Sequence, residues 1–290
     1  MGGTGSFKTN VRKAAFMNRL TVIKIGGNVI DHPEKLHVFL KDFEQLKGLK
    51  ILVHGGGKIA TQLSDDLGIE TKMIEGRRIT NQESLRIVTM VYAGLINKNI
   101  VAQLQAVNCN AIGLSGADGN LIKAKKRPVI KVFPFGEDSE GAEIDYGFAG
   151  DLNDQSVNSH QLQKLLEAGF IPVFSAITHD GGGQLLNTNA DTIASVIAVA
   201  MANLYEVSLV YCFEKKGVLT NLNDENSVIR EINLRDYIAL KTDKIINEGM
   251  VPKLDNAFRA IEHGVKDVFI GKADELSFLN DQKFGTRLAN

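Results

Sequence analysis

Apolar positions along the chain fall into short continuous runs separated by longer stretches in which they return every three or four residues, a pattern that predicts strands interleaved with helices. Thr21 to Ile25 and Ile51 to Val53 read as buried strands, closed by Gly26-Gly27 and by Gly55-Gly56-Gly57. Between them Leu36, Phe39, Leu40, Phe43 and Leu46 recur at helical spacing, and Gly48 is the stop. Ile59, Leu63 and Leu67 predict the next helix, ending at Gly68, and right-handed crossovers then imply a parallel sheet.

Thr80 with Glu83 makes a capping-box pattern, followed by a stripe through Leu85, Val88, Tyr92, Leu95, Ile96, Ile100 and Leu104. The stripe predicts an unusually long helix, buried in the core or meeting the same helix of a second subunit. From Leu121 to Gly150 short β-prone runs, Val129 to Phe133 among them, surround an acidic stretch from Glu137 to Glu143. A hairpin excursion at the sheet edge is expected there, either a lid or a solvated protrusion.

The alternation then resumes. Leu162, Leu165 and Leu166 predict a helix ending at Gly169; Pro172 to Ile177, Val207 to Phe213 and Asp267 to Ile270 predict strands; Asp191 to Asn203 and Lys253 to His263 predict helices. The fold class expected is α/β. Residues 1–16 read as a flexible leader, 17–183 as an amino-terminal lobe and 184–290 as a carboxy-terminal lobe within one sheet.

Composition narrows the partners. A chain of 290 residues with 44% hydrophobic content can bury a large core, and 33 Lys plus Arg against 34 Asp plus Glu leave no global field for nucleic acid or an anionic membrane. A small-molecule partner is expected. Cys109 and Cys212 stand far apart in no metal-ligand spacing, which points to a reducing, cytoplasmic setting without a structural disulfide. The apolar stretch from Ile193 to Ala202 is too short to span a bilayer, and the leader lacks the apolar run of a secretion signal, so no membrane partner is expected.

The candidate chemistry lies at the glycines. Backbone without side chains at the carboxyl ends of buried strands can turn successive N–H groups toward an anion, and a following helix adds its positive end. Two such clusters, with Lys24 inside the first strand, point to phosphate chemistry. His54 to Lys58 is not a Walker A loop, because Leu52 and Ile59 occupy the positions of its first glycine and its Ser or Thr, and it does not follow the dinucleotide pattern either. Asn189 suits a helix cap, while Asp191 in the first turn lies where a carboxylate could hold two lysines apart. Lys253, just after Pro252, is a cation against a helix amino terminus, an arrangement that makes sense if both neutralise phosphate. Of Arg77 and Arg78, Arg78 would suit bidentate recognition of a carboxylate.

Six segments in order, Lys24-Ile25-Gly26-Gly27, His54-Gly55-Gly56-Gly57, Gly76-Arg77-Arg78-Ile79-Thr80, Asn187-Thr188-Asn189-Ala190-Asp191, Gly249-Met250-Val251-Pro252-Lys253 and Gly285-Thr286-Arg287, give a chain that resembles the amino-acid kinases over nearly all of Leu20 to Leu288. The contexts of Arg78 and Asn187 favour the acylglutamate branch over aspartate, glutamate, carbamate or uridylate kinases. The resemblance implies an α/β/α sandwich with a largely parallel central sheet, the amino-terminal lobe taking acylglutamate and the carboxy-terminal lobe ATP. It further implies MgATP-dependent phosphorylation of the side-chain carboxylate of N-acetyl-L-glutamate, or of N-succinyl-L-glutamate, in arginine biosynthesis.

By the same resemblance Lys24 and Lys253 stabilise the phosphoryl group in flight, with Asp191 orienting both. Gly26, Gly27 and Gly56 offer backbone to phosphate, and Gly56, Gly57, Arg78 and Asn187 hold the acylglutamate. Glu214, Lys215, Lys216, Gly217, Val218 and Leu219, with Ile245, Ile246 and Asn247, align with nucleotide-binding stretches. Magnesium rides on the phosphates, with no protein metal site. A succinyl arm would want a nearby cation, for which Lys123, Lys125, Lys126 and Arg127 are candidates. A homodimer through the long helix is expected, without the amino-terminal helix that links arginine-inhibited relatives into hexamers. Two alternatives stand beside this: a catalytically silent sensor of the same fold, and a kinase for another small carboxylate.

Overall fold

The structure, a computed structural model, describes residues 19–74, 77–132, 142–221, 223–243, 245–246, 250–281 and 283–290. The leader, Asn247 and most of the acidic stretch lie outside the described residues. An eight-stranded sheet runs in the order Glu231–Ile232, Thr286–Leu288, Asp267–Lys272, Glu206–Phe213, Arg19–Ile25, Leu49–His54, Ile171–Ser175 and Ala111–Leu114. From Asp267–Lys272 to Ala111–Leu114 all neighbours are parallel; Thr286–Leu288 returns antiparallel at the other side.

Strands of near-continuous Val, Ile and Leu are what a sheet covered on both faces requires. The helix Pro33–Gln45, the long helix and the turns of Ala273–Asp281 cover one face, while Ser159–Glu167, Ala190–Met201 and Val251–Glu262 cover the other, giving the three-layered α/β/α arrangement. Val22, Ile23, Ile25, Leu52, Val53, Leu209 and Val210 are fully buried at its centre. A smaller sheet, in the order Ile177–His179, Leu185–Thr188, Ala149–Asp151 and Lys125–Lys126, carries Asn187 toward the carboxyl ends of the main strands.

The long helix spans Gln82–Ala106 and contains widened, i→i+5 turns over Thr89–Ile96. It is capped by Asn81, whose side chain accepts from the Ser84 N–H, and not by the expected Thr80–Glu83 box. Thr80 is engaged elsewhere: its backbone bridges to Gly147 and its hydroxyl accepts from Asn187 Nδ2. By length and composition this helix, and not the Ile193 to Ala202 stretch, could cross a bilayer; it packs against the sheet here and carries the fully buried Asn97.

Two more expectations are corrected. The helix Gly57–Asp66 buries Ala60 and Ser64 while Leu67 is exposed, because the small residues let it lie close to the long helix. The excursion after Leu121 is not an edge of the main sheet: Ile130–Val132 and Ala142–Ile144 form a separate antiparallel pair, and Lys125–Lys126 joins the smaller sheet.

Candidate functional site

Register places the chemistry. Lys24 lies beside Val53 and Tyr211, and Ile25 beside His54 and Cys212, so both glycine turns leave the sheet at the same level, at the carboxyl edge where ligands of open α/β sheets bind. Lys24 is buried, yet a Cβ added to Gly26 would stand 3.4 Å from its Nζ, so the ammonium lies directly over the first turn. Its Nζ is 2.8 Å from Asp191 Oδ1, off the line of a good hydrogen bond but within ion-pair distance. Asp191 is set in the first turn of Ala190–Met201, which Asn189 caps by accepting from the Thr192 N–H.

Lys253, in the first turn of Val251–Glu262, brings its Nζ over the Phe213 ring at 4.1 Å; Lys24 Nζ is 5.6 Å from the same ring. The two cations therefore face one aromatic plate. Burial holds the Lys253 ammonium below its ordinary pKa, Asp191 opposes that shift, and Lys24 adds to it. Asp191 thus contacts Lys24 directly and acts on Lys253 through the field between them.

Three adjoining cavities open along this edge. One of about 180 Å³ is lined by Gly55, Gly56, Gly57, Met73, Arg77, Arg78, Tyr92 and Asn187. Another of about 360 Å³ is lined by Gly26, Gly27, Asn28, Phe213, Glu214, Lys215, Met250 and Lys253. Between them a space of about 100 Å³ takes Arg77 and Asn189 from the first side and Phe213 and Lys253 from the second, with Asp191 in its wall.

In the first cavity Arg78 is buried, with Nη1 donating to Thr71 Oγ1 at 2.9 Å and Nη2 to Thr61 Oγ1 at 2.7 Å and to the Gly57 carbonyl at 3.2 Å. Its Nε–H is buried, with no hydrogen-bond partner. Gly56 has φ of 154°, and a Cβ there would overlap Ile96 Cδ1 and crowd the Tyr92 ring. Glycine is required by both geometry and space.

Residues 19–272 match the Amino acid kinase family. The chain is 54% identical to the acetylglutamate kinase of Cytophaga hutchinsonii over 94% of this chain and 99% of that one, and 50% identical to that of Parabacteroides distasonis over 94% and 100%. The chain belongs to the amino acid kinase family. Within it the curated relatives at about 50% identity are acetylglutamate kinases. The fold is also that of the N-acetylglutamate synthase of Neisseria gonorrhoeae complexed with coenzyme A and N-acetyl-glutamate, at a TM-score of 0.75 and 20% identity over all of this chain and 64% of that one.

For an amino acid kinase the division of expected residues is informative. Lys24, Lys253 and Asp191 come together; Gly56, Gly57, Arg78 and Asn187 line one cavity; Gly26, Gly27, Glu214 and Lys215 line the other. Lys216, Gly217, Val218, Leu219, Ile245 and Ile246 do not line that second cavity. Val218, Leu219 and Ile246 are buried, and Gly217 packs so closely on Thr286 Oγ1 that a Cβ would come within 2.6 Å of it. None of Lys123, Lys125, Lys126 and Arg127 lines the first cavity, and Arg127 is bound to Asp151 at 2.9 Å.

Sequence reasoning missed Tyr92, Phe213 and Met73. Tyr92 was absorbed into the apolar stripe of its helix, and Phe213 into a strand. A phenol inside an otherwise aliphatic stripe was the available signal for Tyr92, because a buried hydroxyl needs a partner.

Proposed function

We propose that this protein transfers the γ-phosphoryl group of MgATP to the side-chain carboxylate of N-acetyl-L-glutamate, giving the acyl phosphate and ADP. The observation that carries the reading is the pair of lysines over the Phe213 ring, beside two adjoining cavities, one lined by the buried Arg78 and one walled by a glycine turn. A carboxylate oxygen attacks phosphorus as the bond to the β-phosphate oxygen breaks, so several negative charges crowd one point and catalysis is chiefly positioning and fixed positive potential. No general base is needed, since a glutamate side chain, with a pKa near about 4.3, is ionised at neutral pH.

Lys24 and Lys253 stabilise the phosphoryl oxygens, and Asp191 keeps the two ammonium groups apart. Gly27 and Gly56 donate backbone N–H groups to phosphate and to the forming acyl phosphate. Arg78, in the wall of the first cavity, takes the α-carboxylate, and Asn187, anchored on Thr80 at 3.0 Å, holds the acylamino end. ATP lies in the larger cavity, with Glu214 and Lys215 at its wall and the 216–219 and 245–246 stretches beyond; Val218, Leu219 and Ile246 contribute backbone, because their side chains are in the core. Magnesium is carried by the phosphates, which supply the hard oxygen ligands it prefers.

The reaction serves arginine biosynthesis in the cytoplasm, a setting in keeping with two free, buried thiols. The working unit is a homodimer formed through the long helix, whose Met90 and Leu95 are exposed. Hydroxamate formation with MgATP and a panel of N-acetyl-L-glutamate, N-succinyl-L-glutamate, glutamate and aspartate tests the activity. Turnover with the acetyl compound is expected; turnover with aspartate alone would reassign the substrate, and none with any member would leave a silent sensor.

A further inference from the structure

His54 closes its strand immediately before the Gly55-Gly56-Gly57 turn and is fully buried, as is Asn97 on the long helix. Neither residue has a part in the chemistry described so far. Their hydrogen bonds fix every proton. Lys98 Nζ, a pure donor, gives to Asn97 Oδ1 at 3.1 Å and to the Gly113 carbonyl at 3.0 Å, so the amide nitrogen of Asn97 faces the other way. That nitrogen lies 2.9 Å from the Val173 carbonyl and 3.0 Å from His54 Nε2. An amide NH2 has two hydrogens to give, one for each, and His54 Nε2 is therefore an acceptor. The imidazole proton is left on Nδ1, which stands 2.9 Å from the carbonyl oxygen of Gly55.

We propose that His54 is a positioning residue: as the Nδ1–H tautomer, selected by Asn97 and Lys98, it pins the Gly55 carbonyl and so aims the Gly56 N–H into the acylglutamate cavity. The two ends of a trans peptide point in opposite directions, and Gly55 C=O and Gly56 N–H belong to the same peptide. With the carbonyl drawn to a buried imidazole, the N–H is turned outward toward the cavity that Gly55, Gly56 and Gly57 line. The Gly55 N–H is itself held by the Ile25 carbonyl at 3.3 Å, so the peptide on each side of Gly55 is fixed. Preorganised donors of this kind are effective because they need no reorganisation as charge develops.

Two further observations agree. Burial holds the imidazole pKa down to about 4, so the neutral ring persists at physiological pH. Gly113 faces the relay, and a Cβ there would fall on Asn97 Oδ1 and within 2.7 Å of Lys98 Nζ, which leaves glycine as the residue that fits beside it.

The inference rests on the phosphoryl-transfer reading, and two measurements separate them. Wild-type hydroxamate formation tests the activity; ¹⁵N spectra of the histidine-labelled protein at neutral pH test the tautomer with no turnover required. A His54 spectrum with a protonated Nδ1 and an unprotonated Nε2 is expected, and an Nε2–H ring overturns the proposal whatever the activity. Among variants, His54→Asn keeps a donor at the Nδ1 position, His54→Gln moves it to the Nε2 position, and His54→Leu has none. kcat should fall about 10- to 100-fold in His54→Leu and His54→Gln with the KM for MgATP unchanged, and His54→Asn should recover to within about fivefold of wild type. Wild-type kcat in His54→Leu, or equal loss in His54→Asn and His54→Leu, would refute the role. Gly113→Ala, remote from the cavity, should shift the imidazole spectrum and lower kcat in step; an altered spectrum with unaltered kcat also counts against it.

Discussion

Replacing Asp191 with asparagine removes one charge and almost no volume, and the structure fixes the sign of each consequence. Asp191 Oδ1 lies 2.8 Å from Lys24 Nζ. At an effective dielectric of about 20, two unit charges at that separation attract by about 6 kcal/mol. The Asp191 side chain is 34% exposed, so solvent screening reduces this to about 2–4 kcal/mol, or about 30- to 1000-fold in kcat if the lysine arrangement matters most in the transition state. The KM for MgATP should stay level or fall, because a carboxylate that repels phosphate has gone. Asp191 also opposes the burial that lowers the Lys253 pKa. Without it that pKa drops further, the ammonium is lost at lower pH, and the alkaline limb of the kcat profile moves toward neutrality. Steady-state assays of both proteins across pH measure all three quantities. A variant within about threefold of wild-type kcat, with an unmoved alkaline limb, would refute the electrostatic argument.

Other outcomes follow from the same geometry. Arg78→Lys cannot span Thr71, Thr61 and the Gly57 carbonyl, so the KM for N-acetyl-L-glutamate should rise about 10- to 100-fold with a smaller change in kcat; an unchanged KM would remove Arg78 from the substrate site. Gly56→Ala combines a left-handed φ with overlap on Ile96, and thermal denaturation should show a loss of about 1–3 kcal/mol; an unaltered Tm would mean that the turn is not tightly packed. Leu95→Asp places a charge on the exposed apolar side of the long helix and should convert a dimer to monomers in light scattering, whereas a mass unchanged from wild type would exclude that interface.

The lysines, Asp191 and the glycine turns were legible in the sequence because each sits close to a boundary where a buried strand ends or a helix begins, and such boundaries are visible as breaks in pattern. The long helix was legible as an element, and Leu85, Val88, Tyr92, Ile96, Ile100 and Leu104 of its stripe are buried. Its turns widen over Thr89–Ile96, and there Leu95, on a stripe expected either in the core or against a second subunit, is exposed, while Asn97, a polar residue among apolar ones, is fully buried. Asn81 took the cap from Thr80 because Thr80 is held by Gly147 and Asn187, partners distant in sequence. Glu231–Ile232 and Thr286–Leu288 are too short to show a period, and the latter is recognisable as a strand by its pairing with Asp267–Lys272. The same holds for the His54 relay, which joins residues from four separate stretches of chain that meet only after the sheet has formed.

The central claim is that Lys24 and Lys253 converge on a phosphoryl group passing between the two cavities. A crystal structure with MgADP, tetrafluoroaluminate as a planar mimic of that group, and N-acetyl-L-glutamate tests it most directly. The account predicts both Nζ atoms and the Gly27 and Gly56 N–H groups in contact with the fluorides, and the substrate carboxylate in line with the β-phosphate. Fluoroaluminate and nucleotide lodged away from these lysines would contradict it.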